Sequence, residues 1–298
     1  MQQELLIALI AGLGGMLGWG FADFFAKKTI DQIGSVVSLV WAHIFGTLGL
    51  IFIALYKLYI VGEQIPIPDS PVAWGLLLFF GALQAIVYLL AYIGFGKGQV
   101  AVLSPVFASY SGLAAVLSIL VFGEMVGIGL LLALIVIFGG VLLLNIDTKA
   151  LRLKRLNIVN TPGLKEMVLA ALLAAFWTVF WDRFIGGKDW FSYALFMYAF
   201  LSLTALIIAW FQKINLSITK PGLWKFLILI GLCEVIAYLA ISLGFSATSF
   251  TSIVAVLSGA FSLPTILLAR VFLKEKVTTV QTIGSFIIIA GIILLSVQ

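Results

Sequence analysis

Glu234 interrupts a long apolar run near its middle, and Tyr238 follows four residues later, on the same face of any helix that run forms. One hundred and fifty residues earlier, Gln84 and Tyr88 stand at the same spacing in another apolar run. A carboxyl group in such surroundings can hold a proton, bind a cation or accept from hydroxyls, whereas a carboxamide hydrogen-bonds without titrating. If these runs cross a bilayer, an acid at the centre costs roughly 2.5–3.5 kcal/mol, which turns it toward protein interior or water. Two readings are open. Either Gln84 and Glu234, each flanked by a tyrosine, face one another across a binding cavity, or they form an interhelical clamp in which protonated Glu234 bonds to Gln84.

Other side chains carry weaker signals. Asp23 precedes Lys27 by one turn and Asp182 adjoins Arg183, both late in apolar runs. Each is an interfacial ion pair, with a basic side chain long enough to reach headgroups, or a gate at one mouth. Glu124 and Glu275 close two runs and read as architectural; the helix dipole disfavours acids there, so both need partners. His43, the only histidine, is a packing residue or a proton carrier. Trp19, Trp41, Trp177 and Trp181 offer aromatic faces that can stack on a ring or hold an ammonium. Pro264 removes a backbone donor in mid-run and frees the Ala260 carbonyl, giving either a hinge or a silent kink. The pattern contains no nucleophile–base arrangement and no metal cluster, so neither enzymatic activity nor a cofactor is expected.

The elements that must position these residues follow from composition. Of 298 residues, 63% are hydrophobic and only 10% charged, which is too little polar surface for a water-soluble particle. Lone Cys233 excludes an internal disulfide framework. The net charge of +5 does not indicate nucleic acid, because the basic residues sit in short gaps between apolar runs. About 20 apolar residues are needed to cross the hydrocarbon layer. Ten runs qualify, near 5–26, 35–58, 72–94, 100–122, 126–146, 165–184, 190–211, 222–244, 250–271 and 277–297. The first lacks a basic leader and reads as a retained helix. The expected fold is an all-α polytopic membrane protein of ten transmembrane helices.

The chain also repeats itself. GALQAIVYLLAYIGF (81–95) returns as GLCEVIAYLAISLGF (231–245), Trp74 returns as Trp224, and LVFGE (120–124) returns as VFLKE (271–275). Gly140 and Gly291 each lie sixteen residues beyond their glutamate. The halves are therefore read as 1–146 and 164–298, five helices each, joined by a polar connector at 147–163. Five is odd, so the second half enters the membrane inverted. Of the seventeen basic residues, fourteen fall on one side and only Lys57, Arg183 and Lys188 on the other. The positive-inside rule then puts the connector in the cytoplasm and both termini outside.

With WGF (19–21) in the first run, and VLSPVFASYSGLAAVLSILVFGE (102–124) echoed by VAVLSGAFSLPTILLARVFLKE (254–275), the chain resembles the drug/metabolite transporter superfamily, EamA-like branch. That resemblance implies a multi-pass cytoplasmic-membrane carrier of small metabolites, working by alternating access and often exporting amino acids or related compounds. It also implies a central cavity lined by spans one, three, four, six, eight and nine, which would put Trp19 and Trp177 beside Gln84, Tyr88, Glu234 and Tyr238. Met125 follows Glu124 where the family commonly has a basic residue. The expected function is secondary transport of an amino acid or amine, with protons as a candidate coupling partner. The rival readings are a facilitator for neutral solutes such as sugars and a non-transporting membrane scaffold.

Overall fold

A backbone in hydrocarbon must satisfy its own hydrogen bonds, and a chain this apolar does so as helices. The computed structural model describes residues 2–97, 100–144, 162–272, 274 and 277–297, and among them there is helix and turn but no strand. Most of the connector and Glu275 lie outside the described residues. The helices are α1 (Gln2–Ile33), α2 (Ser35–Tyr56, prolonged by a π-helical turn, Lys57–Val61), α3 (Pro71–Lys97), α4 (Val100–Val116, prolonged by a π-helical turn, Leu117–Val121) and α5 (Ile128–Leu144). The second half supplies α6 (Leu164–Ile185), α7 (Trp190–Phe211), α8 (Trp224–Ala247), α9 (Thr251–Gly259), α10 (Ser262–Phe272) and α11 (Thr279–Ser296).

Each of the ten expected runs meets a helix. Among the described residues, eight stretches are long and apolar enough to cross a membrane, and one of them, Thr251–Phe272, is α9 and α10 taken together. Two more apolar helices, Val106–Val121 and Ile128–Leu144, are shorter than the usual spanning length. Large apolar side chains such as Phe52, Leu120, Trp210 and Phe286 stand exposed on the outer surface, as suits a protein solvated by lipid. This is a multi-pass membrane protein.

The break between α9 and α10 falls four residues before Pro264, where the proline requires it. The Ala260 carbonyl, deprived of its usual donor, accepts from the Leu263 N–H at 2.9 Å instead. At this point α1 passes so close that a Cβ on Gly20 would lie 2.2 Å from Pro264 Cγ, and Thr265 donates to the Gly20 carbonyl at 3.0 Å. The interrupted helix is therefore tied to α1.

Packing runs mostly between the halves. Helix α1 lies along α8 and α3 along α6; α2 crosses α8 and α3 crosses α7; α1 meets α9 and α4 meets α6. Helices α2 and α7, α4 and α9, and α5 and α11 pair with their own counterparts. Exchanging the halves maps these contacts onto one another, so the repeat in sequence is a pseudo-twofold in space. The repeated opening glycine of the fifteen-residue motif has a direct physical reason. A Cβ on Gly231 would lie 2.3 Å from the Ala42 carbonyl on α2, and one on Gly81 would lie 2.6 Å from the Met197 carbonyl on α7. Only glycine admits that approach of two backbones. Gly140 and Gly291 likewise let α5 and α11 touch.

Two ends of the bundle can be told apart by contact. Ser249 donates to Glu4 at 3.2 Å, so the α8–α9 turn lies beside the amino terminus. Lys97 at the end of α3 bridges Glu166 at the start of α6 at 2.7 Å, beside the connector, and Lys220 before α8 donates to Gln32 at the end of α1 at 3.0 Å.

Candidate functional site

The pseudo-twofold converges on two tyrosines. Tyr238 on α8 and its counterpart Tyr88 on α3 meet hydroxyl to hydroxyl at 3.4 Å. A residue and its repeat-equivalent touch only near the axis relating them, so this contact marks the centre of the fold. Trp19 from α1 and Trp177 from α6 stand edge-on to the Tyr238 ring, with centroids 5.6 and 6.0 Å away. Tyr198 from α7 adds a third edge-on ring at 5.3 Å. Aromatic edges and faces thus surround one point, supplied by both halves.

Glu234 lies one turn from Tyr238 and is 5% exposed. Tyr198 donates its hydroxyl to Glu234 Oε2 at 2.9 Å, and His43 Nε2 lies 3.1 Å from the same oxygen. The other ring nitrogen, Nδ1, is 2.7 Å from the Leu39 carbonyl. A carbonyl only accepts, so Nδ1 carries hydrogen and Nε2 is left to deal with the carboxyl group. One proton then belongs to the pair, on the carboxyl as a neutral contact or on the ring as an ion pair. The imidazole is held by stacking on Tyr198, at 5.2 Å and 26°, with Tyr88 edge-on at 5.3 Å. Beneath it, Ser202 donates to the His43 carbonyl at 2.9 Å and bonds Thr47 at 2.7 Å, fixing α2 against α7.

Gln84 is 8% exposed, lies against the Tyr238 hydroxyl and leaves its Oε1 without a partner. The clamp between Gln84 and Glu234 does not form: Gln84 lies against the Tyr238 hydroxyl, while Glu234 is held by Tyr198 and His43. Trp177 spends its N–H on the Phe80 carbonyl at 3.0 Å, whereas the buried N–H of Trp19 has no partner. The site therefore offers one unused donor and one unused acceptor, as well as a shared proton. Toward the connector end, Tyr88 and Trp19 are partly exposed, and Asp23 is exposed within electrostatic reach of Tyr110. Toward the amino-terminal end, Trp181 stacks on Trp177 at 5.6 Å and both are buried.

Sequence reasoning put Glu234, Gln84, Tyr238, Tyr88, Trp19 and Trp177 together, and the structure gathers all six. It left His43 between two roles and missed Tyr198. A signal existed: His43 and Thr47 on α2, and Tyr198 and Ser202 on α7, are each polar pairs four residues apart, which makes one stripe per helix. Removing the Tyr198 hydroxyl tests its share. Tyr198→Phe should cost about 1–3 kcal/mol, the usual penalty of leaving a buried acceptor short of its donor. A melting temperature in detergent equal to that of the wild type would show that Glu234 does not depend on it.

The gating candidates separate. Asp182 is 5% exposed, accepts from Thr251 Oγ1 at 2.7 Å and has Arg183 Nε at 3.7 Å, so it joins α6 to the start of α9. Next to it, Glu124 accepts from Ser118 Oγ at 2.5 Å and from the Ser252 hydroxyl and N–H at 2.5 and 3.0 Å. Burial pushes the Glu124 carboxyl up from its ordinary range, against the pull of Ser118, Ser252 and Arg183. Pro264 lies at the helix break described above, and the side chain of Lys27, expected to pair with Asp23, is outside what is described.

Comparison with known proteins agrees with this architecture. A family model described as the EamA-like transporter family matches twice, over residues 6–146 and 161–297. One solved crystal structure of a protein superposes with a TM-score of 0.76 at 18% identity, over 97% of this chain and 97% of that one, which is a likeness of fold. No curated protein matches the chain.

Proposed function

The chain belongs to the EamA-like transporter family, and we propose that it is a ten-helix, inverted-repeat secondary transporter of a small amino-acid- or amine-type metabolite. It works by alternating access in the cytoplasmic membrane, in the export direction, and exchanges its cargo for a proton. The observation that carries this reading is the His43–Glu234 pair at the centre of an aromatic box. An ammonium group is attracted by ring faces and by a carboxylate, and it can donate to the idle Gln84 Oε1. A carboxylate on the same cargo would accept from the idle Trp19 N–H. Cargo cation and shared proton compete for Glu234, and that competition is what couples the two fluxes.

Sites of this kind sit near the midplane between inverted repeats, where either mouth can reach them. The fourteen-to-three division of basic residues supports a cytoplasmic connector and external termini. The test is purified protein in liposomes, offered a panel of amino acids and amines with and without a pH gradient. The expected result is a restricted set of compounds whose entry responds to the gradient. A panel in which none crosses faster than into protein-free liposomes would sink the reading.

A further inference from the structure

Apart from the aromatic centre, Glu124 accepts from Ser118 and Ser252 beside the Asp182–Thr251 bond, which makes a second polar knot among the described residues. Gly123, at φ 70°, turns the chain sharply after α4, and the Glu124 N–H bonds back to the Ser118 carbonyl at 3.1 Å. The side chain is thereby aimed at the first turn of α9, in the other half of the protein. Its two oxygens accept the Ser252 N–H and hydroxyl there, where a helix amino terminus favours negative charge. Asp182 and Arg183 face the same spot from α6, with Asp182 bonded to Thr251. Arg183 also lies over the Phe122 ring at 4.9 Å, and Phe122 meets Phe180 edge-on at 5.5 Å. Helices α5 and α9 bring no ionisable side chain to the knot.

Three elements, α4, α6 and α9, are thus tied at the amino-terminal end, above the buried Trp177 and Trp181. At the opposite end Asp23 is exposed and Trp19 and Tyr88 are partly so. The contrast is that of a pathway shut at one mouth. We infer that Glu124 is the latch of the gate at the amino-terminal end, holding the end of α4 to the start of α9 until the two halves part. The inference rests on the transport reading, and its ligand is part of the chain: the α9 amino terminus.

The test reads the gate without cargo, so its failure and the failure of the transport reading are separable. Thr178 lies one turn inside Asp182 on α6 and is buried. In a Cys233→Ser background, Thr178→Cys is exposed to a membrane-impermeant maleimide in intact cells and in inverted vesicles, which present the two faces in turn. With the latch intact, the amino-terminal face should label it slowly. Glu124→Gln, which loses an acceptor, and Ser252→Ala, which loses a donor, should each speed labelling from that face about tenfold, the effect of one hydrogen bond to a charged group. The double variant should add little to the larger single effect, since both act through one contact. Unchanged labelling in Ser252→Ala, or an equal rise from both faces, overturns the latch.

Discussion

Glu234→Gln is expected to abolish gradient-driven movement of cargo while leaving a folded protein. The substitution keeps the shape of the side chain and its ability to accept from Tyr198. Tyr198 and His43 Nε2 meet the same oxygen, so the amide group placed there either accepts from Tyr198 or donates to Nε2, and in both cases α2, α7 and α8 stay packed. What it removes is the group proposed to exchange a proton for a cation. With glutamine in both halves, the two walls become alike at positions 84 and 234, and neither titrates. Transport in a pH gradient should fall to the rate of protein-free liposomes, and ligand exchange without a gradient should persist. If Glu234 only packs, the same variant should be nearly silent. Wild-type rates in Glu234→Gln across pH 5.5 to 8 would eliminate the coupling role.

The largest expected loss of stability comes from Gly231→Ala. Its new methyl group would lie 2.3 Å from the Ala42 carbonyl and 2.6 Å from the Gly46 nitrogen, both backbone atoms in the middle of α2. Neither can swing aside as a flexible side chain would, so α2 and α8 must separate. Overpacking costs about 1–3 kcal/mol, and this case belongs at the upper end. His43 and Glu234 lie on these two helices, so separation should also loosen the contact between them. The expected result is a melting temperature in detergent several degrees below wild type. Gly75→Ala, on the first turns of α3 with open space around it, is the control and should be neutral. Equal melting temperatures for Gly231→Ala and the control would contradict the close crossing.

Much of this architecture could be read before the structure. Apolar runs located the described helices, because a bilayer allows a backbone few alternatives. The repeat located the pair of motifs, and their shared glycines and tyrosines turned out to mark the crossings and the centre. Two things were not legible. Which partner holds Glu234 depends on the rotation of α2 and α7 about their axes, and these helices are apolar almost all round, so their faces are weakly signalled in sequence. The second is the role of Glu124. A glutamate after a helix reads as a terminal feature, and its partner Ser252 lies 128 residues away on a helix start that nothing local announces. The break at Ala260 was legible from Pro264, but its bond to α1 was not.

The claim on which the rest depends is that cargo and proton compete for Glu234. The most direct measurement is proton release when a compound that the protein transports is added at saturating concentration to solubilised protein in weak buffer. The wild type should release up to about one proton per site, since the shared proton must leave for an ammonium to reach the carboxylate. Glu234→Gln should release none. Binding by the wild type with no proton released at any pH between 5.5 and 8 would contradict the mechanism.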